Sequence, residues 1–125
     1  MLTHYILIGL GAAFGAMARS GVGKVLPTEV WGMPFSILCV NVLGCFLIGV
    51  VLEVSALHWT LPENMRYFLI PGFLGGFTTF STFAMEYGLL AQRGAYVTGA
   101  LYVSLSVGVG IGLFFAGIKL VRVLS

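Results

Sequence analysis

Charge is scarce in this chain: Asp, Glu, Lys and Arg make up 8% of its 125 residues, where a soluble domain averages about 25%. With 59% hydrophobic residues, a soluble fold would lack the polar surface to cover itself. A net charge of +2 implies no nucleic-acid partner. Cysteine is also rare. Cys39 and Cys45 lie in one apolar run, about 9 Å apart along a helix, too far for a bridge within the chain. They read as free, buried thiols. Missing too are an H-E-x-x-H pair, a phosphate loop, a Cys/His cluster and a nucleophile–base pair, which excludes hydrolytic and redox catalysis. The N-terminus has no basic region before its apolar run, so it does not read as a cleaved leader.

What is present is apolar sequence in membrane-length blocks. A crossing helix needs about 20 mainly apolar residues. Spans are expected over 5–26, 30–52, 67–92 and 94–118, with Pro34 in the first turn of the second. The whole chain then forms one all-α, four-helix membrane domain embedded in the lipid bilayer. Trp31 and Trp59 fall in the connections, where an interfacial aromatic belt would place them.

Four spans put both termini on one side. That side holds Arg66, Lys119 and Arg122, and the other holds Lys24 and Arg93, with Arg19 able to snorkel toward it. So little positive-inside bias predicts insertion in both orientations and an antiparallel dimer of identical chains. The alternative is a fixed topology set by a signal not visible here. The glycine pairs Gly11/Gly15, Gly72/Gly76 and Gly108/Gly112 are expected to let helices pack closely, within or between subunits.

Polar groups inside spans are functional candidates by default. Asn41, midway along the second span, fits both an ion-binding amide and an interhelical hydrogen bond. In the third span, Pro71 and the glycines at 72, 75 and 76 predict an unwound segment whose free carbonyls could hold a cation. The competing reading is a proline kink with satisfied backbone. Thr78, Thr79, Ser81 and Thr82 follow, interleaved with Phe80 and Phe83 on one helical face. Ring edges are positive and can favour an anion, although such a pair is usually packing. Arg19 either raises the local potential or snorkels. Glu86 and Glu53 fall near span ends, as do His4 and His58, and Tyr102 with Ser106 shares a face of the last helix.

The run Gly75–Phe83, together with Asn41–Gly49, resembles the fluoride channel family known as Fluc or CrcB. Gly11, Gly15-Ala16 and Arg19 resemble its first helix, and Tyr102 with Ser106 its last. The resemblance covers the whole chain in order. It departs at Leu10, Ser20, Ser36, Ile37 and Cys45, where the family more often has other residues.

The resemblance implies a dual-topology antiparallel homodimer with two fluoride pathways, serving export of toxic fluoride across a bacterial inner membrane. It implies that Phe80 and Phe83 meet fluoride through ring edges and that Asn41 donates a hydrogen bond to it. Ser81 and Thr82 help form a polar track, with Thr79, Tyr102 and Ser106 beside it, and Arg19 and Glu86 match family positions. It implies a structural sodium ion (Na+) held by the carbonyls of Gly75 and Thr78 from both chains. The rival class is a small dual-topology proton-coupled multidrug transporter, which needs a carboxylate exposed to a central cavity. A non-conducting membrane assembly factor is a third possibility, one that would tolerate loss of Phe80 or Asn41.

Overall fold

The computed structural model describes residues 1–58 and 60–125. Trp59, and with it the belt role expected there, lies outside the described residues. Among the described residues, four stretches are long and apolar enough to cross a membrane: Leu2–Val25, Phe35–Leu57, Glu63–Gln92 and Tyr96–Leu124. The shortest has 23 residues, about 34 Å at 1.5 Å each, which exceeds a hydrocarbon core of about 30 Å.

The elements run α1 (Leu2–Val25), β1 (Glu29–Val30), β2 (Met33–Pro34), α2 (Phe35–Leu57), α3 (Glu63–Tyr67), a π-helix (Phe68–Leu74), α4 (Gly75–Phe77), α5 (Phe80–Gln92) and α6 (Tyr96–Leu124). The second span therefore begins five residues later than expected. Trp31 (φ 54°) and Gly32 (φ 75°) both take positive φ, the requirement of a tight two-residue hairpin turn. That turn pairs β1 with β2 in antiparallel register, Val30 opposite Met33. Pro34 is consequently the N-cap of α2 in extended conformation, outside the first turn. The expected end at 52 moves to Leu57, because no proline or glycine interrupts 53–57 and Glu53 has a cationic partner. The third span starts at Glu63, where Pro62 caps it and the acid suits the positive helix end. Gly94 (φ 76°) ends α5: its N–H donates to Ala91 and that of Ala95 to Leu90, a Schellman pattern. Hence α6 starts at Tyr96 and runs past the expected 118 to Leu124.

The expected unwinding at 71–77 is not found there. Pro71 sits within the π-helix, whose wider turn absorbs its missing N–H, and Gly75–Phe77 is α-helical. The residues with extended dihedrals are Thr78 (φ −84°, ψ 159°) and Thr79 (φ −152°, ψ 118°).

Glycines set the close approaches. A Cβ on Gly11 or Gly15 would overlap the carbonyl of Phe68 or Phe73, and one on Gly76 would overlap Ala12. The first two expected glycine pairs thus form one interface, between α1 and the π-helix with α4. Gly108 and Gly112 have nothing within 4 Å, so the third pair packs against nothing among the described residues. The contact of α2 with α6 relies on Gly49 against Phe114 and Gly117 against Phe46, neither of which the three pairs include. Fully buried apolar side chains are few, Val40, Leu90 and Tyr102 among them, while large apolar residues cover the outside. That is the inverse of a soluble domain and suits a lipid solvent.

Candidate functional site

The site grows from one side-chain amide. The Asn41 Nδ2 group donates to the Thr79 carbonyl at 3.0 Å, and the Thr79 N–H donates to Asn41 Oδ1 at 2.8 Å. The asparagine thus copies the two-bond pairing a neighbouring strand would offer one extended residue. In an unbroken helix the Thr79 N–H would serve the carbonyl of Gly75. Its diversion to Asn41 leaves that carbonyl without its usual donor.

Thr79 then starts α5. Its Oγ1 accepts from the Thr82 N–H at 3.2 Å, an ordinary N-cap bond. Thr78 Oγ1 turns back and donates to the Leu74 carbonyl at 2.9 Å, which fixes its rotamer. The first N–H groups of α5 and its positive dipole end are therefore held beside Asn41.

A cavity of about 410 Å³ opens at this junction. Asn41, Thr78, Thr79, Phe80, Phe83 and Ser106 contribute to its wall, together with Gly75, Gly44 and Cys45. Among the described residues, no Asp, Glu, Lys or Arg lines it. Phe80 is 79% exposed, with its ring centroid 5.7 Å from that of Phe83. Phe83 continues to Tyr102 at 5.2 Å. The hydroxyls of Tyr102 and Ser106, one turn apart on α6, are both buried without a hydrogen-bond partner among the described residues. A buried hydroxyl left unpaired costs about 1–3 kcal/mol, a cost that a polar neighbour would relieve.

The structure does not gather every expected residue. Ser81 is exposed, and Ser81, Thr82, Tyr102, Arg19 and Glu86 all lie outside the cavity lining. Arg19 and Glu86 are half-buried and make no hydrogen bond or ion pair among the described residues. Both cysteines are free, but they are half-buried rather than fully enclosed. Sequence reasoning missed Gly44 as a wall residue. Its place three positions after Asn41, on the same helical face, was the available signal. Glu53 is 8% exposed and ion-paired to Arg122 at 3.0 Å, well removed from the cavity lining.

Four apolar helices of crossing length, with a largely apolar cavity dotted with neutral polar groups between the second, third and fourth spans, define a multi-pass membrane protein. The chain belongs to the CrcB-like family: the family model described as "CrcB-like protein, Camphor Resistance (CrcB)" matches residues 6–118. Among its relatives is the "Fluoride-specific ion channel FluC" of Granulibacter bethesdensis, 44% identical, covering 98% of both chains. The protein of the same name from Rhizobium johnstonii is 40% identical over 96% of this chain and 97% of its own. That of Nitrobacter winogradskyi is 39% identical over 98% of each.

Proposed function

We propose that this chain forms a passive, fluoride-selective channel that lets cytoplasmic fluoride leave the cell across a bacterial inner membrane. The carrying observation is the junction at Thr78–Thr79, where the positive end of α5 meets a cavity walled by Asn41, Phe80 and Phe83 and free of charged side chains. Helix N-termini favour anions, and aromatic edges do so weakly. Neutral donors bind a halide loosely enough to release it, as conduction requires. Selectivity for fluoride over other halides rests on the relatives' printed names.

The working unit is an antiparallel homodimer in dual topology, with an interrupted third span in each chain. Support comes from the cavity, which one chain leaves open, and from the near-balance of basic residues between the two ends. In the pathway, Phe80 and Phe83 present ring edges. The second Nδ2 hydrogen of Asn41 remains for the ion, and Ser81, Thr82, Thr79, Tyr102 and Ser106 extend the polar track. Arg19 and Glu86 act from a distance on the potential.

A sodium ion fits the carbonyls of Gly75 and Thr78. The former lacks its helical donor and the latter belongs to an extended residue, so both are hard oxygen ligands of the kind that broken membrane helices offer. Two carbonyls per chain require a second copy to complete the shell. Bound there, the cation would fix the two third spans relative to each other.

The multidrug-transporter alternative finds no support, since Glu53 is ion-paired and, among the described residues, no carboxylate lines the cavity. Proteoliposomes loaded with fluoride and monitored by a fluoride electrode decide the matter. Rapid efflux independent of a proton gradient, with chloride retained, is expected. Vesicles as fluoride-tight as protein-free ones would overturn the channel.

A further inference from the structure

We infer that Gly44 is a positioning residue for conduction: its lack of a Cβ lets α2 seat the Thr78 methyl and so fixes the extended pair at the cavity wall. The inference rests on the channel reading above. Gly44 is buried, and a Cβ built on it would overlap Thr78 Cγ2, closer than the 3.0 Å that real Cβ contacts respect. The next neighbours are Thr78 Cβ at 3.7 Å and Phe77 Cδ2 at 3.8 Å, so Thr78 alone is in conflict.

Thr78 cannot simply turn away. It is β-branched, and its Oγ1 is held on the Leu74 carbonyl at 2.9 Å. Rotating the methyl off Gly44 would sacrifice that bond. The glycines that bring helices together, Gly11, Gly15, Gly49 and Gly117, first meet backbone carbonyls of a neighbouring helix. Among the described glycines, Gly44 is the one whose nearest neighbour belongs to Thr78 or Thr79.

Asn41 lies three residues earlier on the same face of α2, bonded to both backbone groups of Thr79. One edge of α2 therefore grips consecutive residues in two ways, the methyl of the first through a void and the backbone of the second through an amide. An added methyl at 44 must push Thr78 outward. The displacement passes to Thr79, loosens its bonds to Asn41, and moves the start of α5 that carries Phe80 and Phe83. Serine at 78 keeps the hydroxyl and removes the methyl, freeing the volume a Cβ at 44 needs.

The test is a rescue. Gly44→Ala, Thr78→Ser and the double variant are reconstituted beside the wild type, and fluoride efflux and melting temperature are measured for each. Gly44→Ala should lose about tenfold or more in flux, and Thr78→Ser should return most of that loss in the double variant, as coupled contacting residues do. Gly49→Ala, which disturbs the α2–α6 contact, should gain nothing from Thr78→Ser. Wild-type flux in Gly44→Ala, or a double variant no faster than Gly44→Ala, overturns the role. So does an equal rescue of Gly49→Ala. Should Gly44→Ala fail to purify, the double variant must purify and conduct, and its failure to do so also overturns the role. If the wild type carries no fluoride, the channel reading falls separately. The melting temperatures then still decide whether Thr78→Ser restores what Gly44→Ala loses.

Discussion

Arg122 Nε donates to Glu53 Oε1 at 3.0 Å, tying the last turn of α6 to the end of α2. The carboxylate side chain is 11% exposed and the guanidinium 66%, so the pair is buried on one side only. Breaking a fully buried pair costs about 3–5 kcal/mol, and solvent around Arg122 reduces that to about 1–2 kcal/mol here. Arg122→Ala should therefore lower the melting temperature in detergent, while Arg122→Ala with Glu53→Gln should recover most of the loss. Equal destabilisation by both would show that the charge left behind is not the cause.

Asn41→Asp keeps an acceptor for the Thr79 N–H but loses the donor to the Thr79 carbonyl and places a negative charge beside the cavity. Fluoride efflux should fall by about tenfold or more, because that charge opposes an anion in a low-dielectric site. Asn41→Ala should cost about 1 kcal/mol of stability per lost bond in addition to flux. An Asp variant conducting at the wild-type rate would place the ion away from this amide.

Phe80 and Phe83 differ in burial, so their replacements should separate. Phe80→Ile, at a residue 79% exposed, should leave the melting temperature of the chain unchanged while cutting efflux about tenfold or more. Phe83→Ile also gives up the contact with Tyr102 and should lower both. Flux unchanged in both single variants and in the double variant would remove the rings from the pathway.

Tyr102→Phe removes a hydroxyl that is buried without a partner among the described residues. Without anion, the variant should melt at or above the wild-type temperature, since about 1–3 kcal/mol of desolvation is relieved. Efflux should nevertheless fall if the hydroxyl belongs to the proposed polar track, although Tyr102 itself lies outside the cavity lining. A variant less stable than wild type would mean that the hydroxyl already has a partner in the assembled protein.

Trp31 stands at the hairpin tip, 94% exposed and at φ 54°, a conformation in which glycine is easier. With Trp59→Phe making it the sole tryptophan, its fluorescence should be quenched by brominated lipids more than by aqueous iodide. The reverse order would set the hairpin in water. Trp31→Gly should stabilise the chain in detergent while removing the bilayer contact.

Several of these features could be anticipated from residues alone and others could not. Four crossings were legible because apolar blocks of membrane length have few alternative folds. Their edges were not, because a hairpin at 29–34 depends on two residues at positive φ, one of them a tryptophan that sequence rules do not favour there. The proline-glycine run drew attention to the right span, but the extended residues lie at Thr78–Thr79, where Asn41 supplies backbone partners that a proline kink cannot. Gly11/Gly15 and Gly72/Gly76 announced a close contact by spacing. Gly49 and Gly117, on different helices, have no spacing to announce.

Composition and hydropathy alone determined that this chain lives in lipid as four helices, because a segment without polar surface has no stable place in water. The residue types in its third span also fixed which neutral groups are available to an ion. Only the tertiary structure decided that Asn41 reaches Thr79, 38 positions away, and that Gly44 leaves room for Thr78. Those contacts arise between separate helices, and their distance depends on how glycines let the helices approach, a property of pairs that no single stretch of sequence carries.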